Sequence, residues 1–147
     1  MSHTFSQNLV HVVFNTKERH KTIAKGMQPR LWAYSAGICQ HLEILVHAIG
    51  GTEDHIHLLL QVPPKLSLAN AVMKVKANSS GWMNEIGHKF EWQEGYGAFS
   101  VSASNLGRVK AYINNQERHH RKMSFEEEFV ALLKKHKVAY DPRYVFG

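Results

Sequence analysis

The segment TEDHIHLLLQV, residues 52 to 62, holds the residues best placed to do chemistry. Side chains alternate along a strand, so His55, His57, Leu59 and Gln61 share one face, while Ile56, Leu58, Leu60 and Val62 share the other. Two neutral imidazoles pointing the same way from a rigid strand can hold one cation without any loop having to order itself. The same pair also reads as two histidines on an incompletely covered sheet face, satisfied by water or neighbours, and the spacing alone leaves both readings open. Leucines fill the positions where a zinc hydrolase would place its next ligand. A second His-x-Thr or His-x-Ser repeat, which a two-histidine phosphoesterase would carry, is absent.

A second constellation lies in NLGRVKAYINNQERHH, residues 105 to 120. On a helix, Leu106, Val109 and Ile113 form a buried stripe, and Tyr112 and Gln116, four apart, are neighbours along its edge. Such an edge can face a groove, or the tyrosine can be core rim above an exposed glutamine. Tyr34, Tyr96, Tyr140 and Tyr144 have no glutamine one helical turn on.

The elements that must position these groups follow from periodicity. Residues 8 to 14 alternate as a strand, NTKERHK is a basic turn, and MQPRLWAYSAGICQ is a helix with Pro29 in its first turn. LEILVHAIGG is a strand separated by three residues from HIHLLLQV, giving a hairpin that Pro63 and Pro64 end. Ser67 caps a helix carrying Leu68, Ala71, Val72, Val75, Trp82 and Ile86 on one stripe. WQEGYGAFSVS is extended, and Asn105 caps a helix to about Arg118. The order strand, helix, strand, strand, helix, strand is the ferredoxin-like split βαβ arrangement, an α+β fold with an antiparallel sheet and two helices on one face. From about residue 124 a further helix follows. Ser124 and Glu127 form its capping box, its three glutamates and the pair Lys134 and Lys135 complement the dipole, and Phe125, Phe129, Leu132 and Leu133 form its apolar face.

A chain of 147 residues with 44% hydrophobic and 10% aromatic content fits one domain spanning 1–147, with its own core. No apolar run reaches membrane-span length, so no membrane partner is expected. With no signal-like start and Cys39 as the single cysteine, the expected setting is a reducing cytoplasm. Eighteen Lys and Arg against twelve Asp and Glu give a formal charge of +6, which suits an anionic partner.

Taken together, the motifs resemble the single-tyrosine HUH transposases of small insertion sequences and their repeat-associated relatives. His55, Ile56 and His57 match the histidine, bulky apolar residue, histidine motif; Tyr112 and Gln116 match the tyrosine and the glutamine one turn later. KERHK, WQEGYGAFSVS and FEEEFVALLKKHKVAYDPRYVFG are also similar to this family, so the resemblance covers nearly the whole chain.

The resemblance implies a catalytic helix in which Tyr112 attacks a DNA phosphodiester, leaving a phosphotyrosine link and a free 3′ hydroxyl. It implies a metal site of His55, His57 and Gln116. Nitrogen and amide-oxygen ligation points to Mg²⁺ or Mn²⁺ acting as Lewis acid on the phosphate. The implied substrate is single-stranded or hairpin DNA at element ends, cut and rejoined, in a nucleoid-associated setting. The implied assembly is a homodimer in which the tyrosine helix of one subunit can complete the histidine site of the other, and the sequence leaves open whether each site forms in cis or in trans. Lys17, Arg19, Lys21, Lys74, Lys76, Arg108 and Lys110 are the candidate phosphate contacts. Phe90, Trp92 and Tyr96 are candidate base-stacking residues, with core packing the competing role for Trp92. Two other functions fit parts of the pattern: a ferredoxin-like domain that binds nucleic acid without cutting it, and a metal-dependent phosphoesterase that uses water.

Overall fold

The computed structural model describes residues 4–146. Four strands, β1 (Leu9–Asn15), β2 (Leu45–Gly51), β3 (His55–Gln61) and β4 (Gly97–Ser100), form one sheet in the order β2-β3-β1-β4. Every neighbouring pair is antiparallel. The helices are α1 (Gln28–His41), α2 (Leu68–Glu85), α3 (Leu106–Asn114), α4 (Gln116–His119) and α5 (Phe125–Lys135). With β1, α1, β2, β3, α2 and β4 in chain order, this is the ferredoxin-like arrangement.

Local chemistry sets most boundaries. The Ser67 hydroxyl accepts the Asn70 N–H at 3.1 Å and starts α2. Ser124 and Glu127 close a complete capping box at α5. Where the sequence suggests one helix to about Arg118, the chain instead breaks at Asn115 (φ −106°, ψ 20°), which separates α3 from α4. The Asn115 amide donates to the Ala111 carbonyl at 2.9 Å, a local bond that competes with helix continuation. Asn105 makes no side-chain cap. The extended segment after Phe90 is also shorter than its pattern suggests. Only Gly97–Ser100 pairs with β1, and Trp92 joins through an isolated bridge to Thr16.

The strands divide their side chains between two layers. Val10, Val12 and Phe14 of β1 and Ile56, Leu58 and Leu60 of β3 pack against Leu31 and Cys39 of α1 and Ala71, Val72, Val75 and Met83 of α2. Each such large side chain, fully buried, contributes about 1.5–3 kcal/mol. Phe90 and Trp92 belong to this core, and the Trp92 indole N–H donates to Ser79 Oγ at 2.9 Å, so neither is available to stack on a base. Tyr96 is exposed. Cys39 sits in the same layer, where burial pushes its thiol up to about 11 and leaves it unreactive.

The opposite face is closed as well, by α3, α4 and α5. Val13 and Phe99 meet Phe125 and Leu133 of α5, while Ala48 and Leu59 meet Ile113 of α3. Two glycines permit this close covering. A Cβ on Gly50 would lie 2.2 Å from the Ile113 carbonyl oxygen, and one on Gly97 would lie 2.7 Å from the Phe129 ring. Gly50 therefore lets the end of α3 rest on β2, which seats Tyr112 over the sheet. Among the described residues, no helix is long and apolar enough to cross a membrane.

Candidate active site

Strand alternation points His55 and His57 into the layer beneath α3, α4 and α5, where both are fully buried. His55 Nδ1 lies 2.7 Å from Asp54 Oδ1 and 3.1 Å from Thr52 Oγ1, and its Nε2 lies 2.9 Å from Gln116 Oε1. His57 Nδ1 lies 2.7 Å from Nε2 of His11, which β1 projects onto the same face. His57 Nε2 lies 2.9 Å from Glu128 Oε1.

Glu128, on α5, is the hub. Its Oε1 is also 3.0 Å from His120 Nε2 and 3.4 Å from His55 Nε2. Its Oε2 accepts the Tyr112 hydroxyl and the Gln116 amide N–H, the latter at 2.9 Å. The ligand atoms of His55, His57, His120 and Glu128 all lie within 4.8 Å of one another. Next to this cluster, between α3 and α5, is a cavity of about 580 Å³ lined by Tyr112, Glu128, His119, Arg108 and Lys135 among others.

Burial dominates the electrostatics. It lowers His57 to about 4 against the opposing pull of Glu128, and it lowers His11 to about 3, assisted by His57. Burial by itself would raise Glu128, but hydrogen bonds from His120 and His57 and the nearby imidazole charge outweigh it and hold the carboxyl far below its usual range. Burial would lower His120, yet its hydrogen bond and charge interaction with Glu128 win and raise it. Burial, followed by the Glu128 charge, raises the Tyr112 phenol well above its ordinary value. The resting site thus holds an ionised Glu128, a neutral His57 and a protonated Tyr112. An ionised carboxylate beside the phenol opposes its deprotonation.

His55, His57, Tyr112 and Gln116 meet within one chain. Arg108 reaches the adjoining cavity and Lys110 is exposed on α3. Lys17, Arg19 and Lys21 lie on or beside the turn after β1, at the sheet end where Asn15 pairs with His55. They form ion pairs with Glu91 (2.8 Å), Glu126 (3.4 Å) and Glu53 (3.8 Å). Exposed pairs of this kind are weak enough for a phosphate to displace. Lys74 and Lys76 are on α2, across the sheet from the histidines. Lys76 is moreover committed, donating to the Gln93 and Gly95 carbonyls at 2.7 Å each.

Glu128, His120, His11 and Asp54 were not singled out by sequence reasoning. For Glu128 a signal existed: it lies three residues after Phe125 and four before Leu132, inside the apolar stripe of α5, where a carboxylate needs a partner. Reading all three glutamates as dipole complements hid it. Of the other two, Glu127 caps and Glu126 pairs with Arg19.

The fold and site define a ferredoxin-like domain with a buried histidine and carboxylate cluster beside a helix-borne tyrosine. The chain belongs to the IS200-like transposase family, whose family model matches residues 4–116. Its class is therefore that of DNA transposases. It is 25% identical over 124 residues to the IS200 transposases of Salmonella typhimurium and Salmonella typhi, covering 79% of this chain and 81% of each relative. A candidate transposase from Deinococcus radiodurans R1 shares the fold with a TM-score of 0.65 at 21% identity, over 79% of this chain and 95% of that one. A REP-associated tyrosine transposase, solved bound to a REP hairpin, aligns with a TM-score of 0.62 at 12% identity, over 82% of this chain and 73% of that one. The family match ends at Gln116, so His120 and Glu128 come from beyond it.

Proposed function

We propose that this transposase cuts and rejoins single-stranded DNA at hairpin-marked ends, using Tyr112 as a covalent nucleophile at a divalent-metal site. The observation that carries the reading is the convergence of Tyr112, Gln116, His55 and His57 around one buried carboxylate. A structural neighbour solved with a hairpin supports the substrate class.

The donor set fits a divalent cation. Asp54 takes the Nδ1 side of His55, which leaves Nε2 facing the Gln116 oxygen, and no thiolate is near. His55, His57 and Gln116 would hold Mg²⁺ or Mn²⁺. Such an ion supplies Lewis-acid polarisation of the scissile phosphate. The chain's own residues do the rest. Glu128 fixes the Tyr112 hydroxyl so that its oxygen is aimed and not free to rotate. That oxygen loses its proton and bonds to phosphorus, the bond from phosphorus to the 3′ oxygen breaks, and the 3′ oxygen takes up a proton, so the strand leaves as a 3′ hydroxyl while the 5′ side stays on Tyr112 and the net proton count is unchanged. A 3′ hydroxyl attacking the phosphotyrosine reverses these bonds and rejoins DNA. In this reading Lys17, Arg19, Lys21, Arg108 and Lys110 take backbone phosphates. Lys74 and Lys76 lie outside this strand path.

Incubating the protein with hairpin-bearing single-stranded DNA and Mg²⁺ or Mn²⁺ tests the reading. A covalent adduct that Tyr112→Phe abolishes supports it. Binding without cleavage would make the protein a binding module, and hydrolysis without adduct would make it a phosphoesterase. For a homodimer, the meeting of all four groups in one chain favours independent sites over shared ones. Mixing His57→Ala with Tyr112→Phe protein should then restore no cleavage, and restoration would establish sharing between subunits.

A further inference from the structure

We propose that the cavity between α3 and α5 is a nucleotide pocket: it holds, unpaired, the deoxynucleotide immediately 3′ of the cut, the one whose 5′ phosphate stays on Tyr112. The inference rests on the tyrosine reading above and adds to it what grips the retained strand end.

The cavity, about 580 Å³, changes character from floor to rim. Tyr112, His119 and Glu128 line its more buried end. Val109 of α3 and Leu132 of α5, both half-buried, give it apolar walls. Arg108, Lys135 and His136 are exposed and form its rim. A nucleotide within a strand has the same order of chemistry: the reacting phosphate, then a flat base on its sugar, then a second phosphate. The volume is that of an ordinary small-molecule site, roughly 300–1,000 Å³. Single-stranded DNA can splay a base into such a sleeve without breaking a pair.

Three features of the lining point to that ligand. At the floor, His119 Nε2 is buried and has no hydrogen-bond partner among the described residues, with Glu128 Oε2 3.5 Å away. Glu128 is already met by His57, His120, Tyr112 and the Gln116 amide, so His119 is left over, and a phosphate oxygen at the tyrosine would complete it. At the rim, Arg108 and Lys135 make no ion pair among the described residues, whereas Lys17, Arg19 and Lys21 are all paired. Two free cations there suit the next phosphate along the strand. Beside them, the His136 ring stacks on buried Phe99 with centroids 4.7 Å apart at 26°, which holds the imidazole flat as a platform for a base.

Reaction geometry selects the 3′ side. In-line displacement puts the leaving 3′ oxygen across the phosphorus from the Tyr112 oxygen, so the departing strand points away from the wall that Tyr112 forms. The nucleotide left covalently attached is the one within reach of the cavity.

The test uses the full chain, Mg²⁺ or Mn²⁺, and a hairpin-bearing single strand whose cut position is mapped from the released 3′ end. An abasic residue immediately 3′ of the cut should slow adduct formation by about 10-fold or more, and one immediately 5′ by less than about 3-fold. Ala131→Trp, which adds bulk at an exposed position lining the cavity, should slow the intact substrate by a similar factor. It should keep hairpin affinity within about 2-fold and erase the abasic penalty. His136→Ala should slow adduct formation by about 5-fold and His136→Phe should restore it, because the ring and not its charge is used. Equal sensitivity on both sides of the cut, or an abasic penalty that Ala131→Trp leaves at its wild-type size, overturns the proposal. The His136 pair decides the matter where Ala131→Trp fails to fold. A protein that forms no adduct sinks the tyrosine reading, yet the pocket is still read by scanning 2-aminopurine along a strand bound to Tyr112→Phe protein. One position should change fluorescence at least about 2-fold when His136→Ala is added, and a flat scan rejects the pocket.

Discussion

The two faces of one sheet are built to opposite rules. Towards α1 and α2, β1 and β3 present Val10, Val12, Phe14, Ile56, Leu58 and Leu60, a layer whose burial is favourable and undemanding about geometry. Towards α3, α4 and α5, the same strands present His11, His55 and His57, equally buried but each tied to a specific polar partner. The first face supplies stability. The second spends part of it to hold a carboxylate and three imidazoles out of water, because buried polar groups persist only when paired. The polar arrangement of the second face therefore depends on the rigidity of the first.

The sharpest break between the faces should come from Tyr112→Phe, which removes one oxygen. Covalent adduct formation should fall by more than about 10³-fold while hairpin affinity stays unchanged, read by denaturing gel and by filter binding. Normal cleavage would dissolve the distinction.

The converse experiment is Leu58→Ala. It should cost about 2–5 kcal/mol in urea unfolding, yet leave cleavage per folded molecule near wild type. A selective loss of chemistry would mean the two faces are coupled more tightly than their packing suggests.

Lowering pH should act through the polar face of the ion-free protein. Unfolded His57 titrates near 6.5 and folded His57 near 4, so between those values the unfolded chain holds the extra proton and stability rises with pH. His11, lowered to about 3, adds to the same slope, and the depressed Glu128 carboxyl extends it below the ordinary carboxylate range. Melting temperature should thus fall as pH drops from about 6.5 towards 4, and His57→Gln should flatten that fall. An unchanged slope in the variant would remove His57 from the account.

The smallest expected effect separates the lysines. Arg108→Ala, beside the cavity at Tyr112, should weaken hairpin binding several-fold and reduce the salt slope by about one, while Lys74→Ala, across the sheet, should change affinity less than about twofold. Equal losses would mean that DNA engages both faces.

Much of this molecule can be read from its residues, and the exceptions share a cause. Period-two alternation in HIHLLLQV separates the histidines from the leucines because the pleat enforces it. The capping box at Ser124 forms because its partners are three residues apart. The break at Asn115 was less legible, since Tyr112 to Gln116 fits an unbroken turn and only the Asn-Asn pair hints otherwise.

What the sequence determined by itself was short-range: the order of elements, the face each strand residue occupies, and the spacing of Tyr112 and Gln116. Only the tertiary structure decided that Glu128, 71 residues beyond His57, and His11, 46 residues before it, would share its surroundings. No local pattern encodes such a meeting. It is fixed by how closely α3 and α5 settle onto the sheet, through gaps left at Gly50 and Gly97.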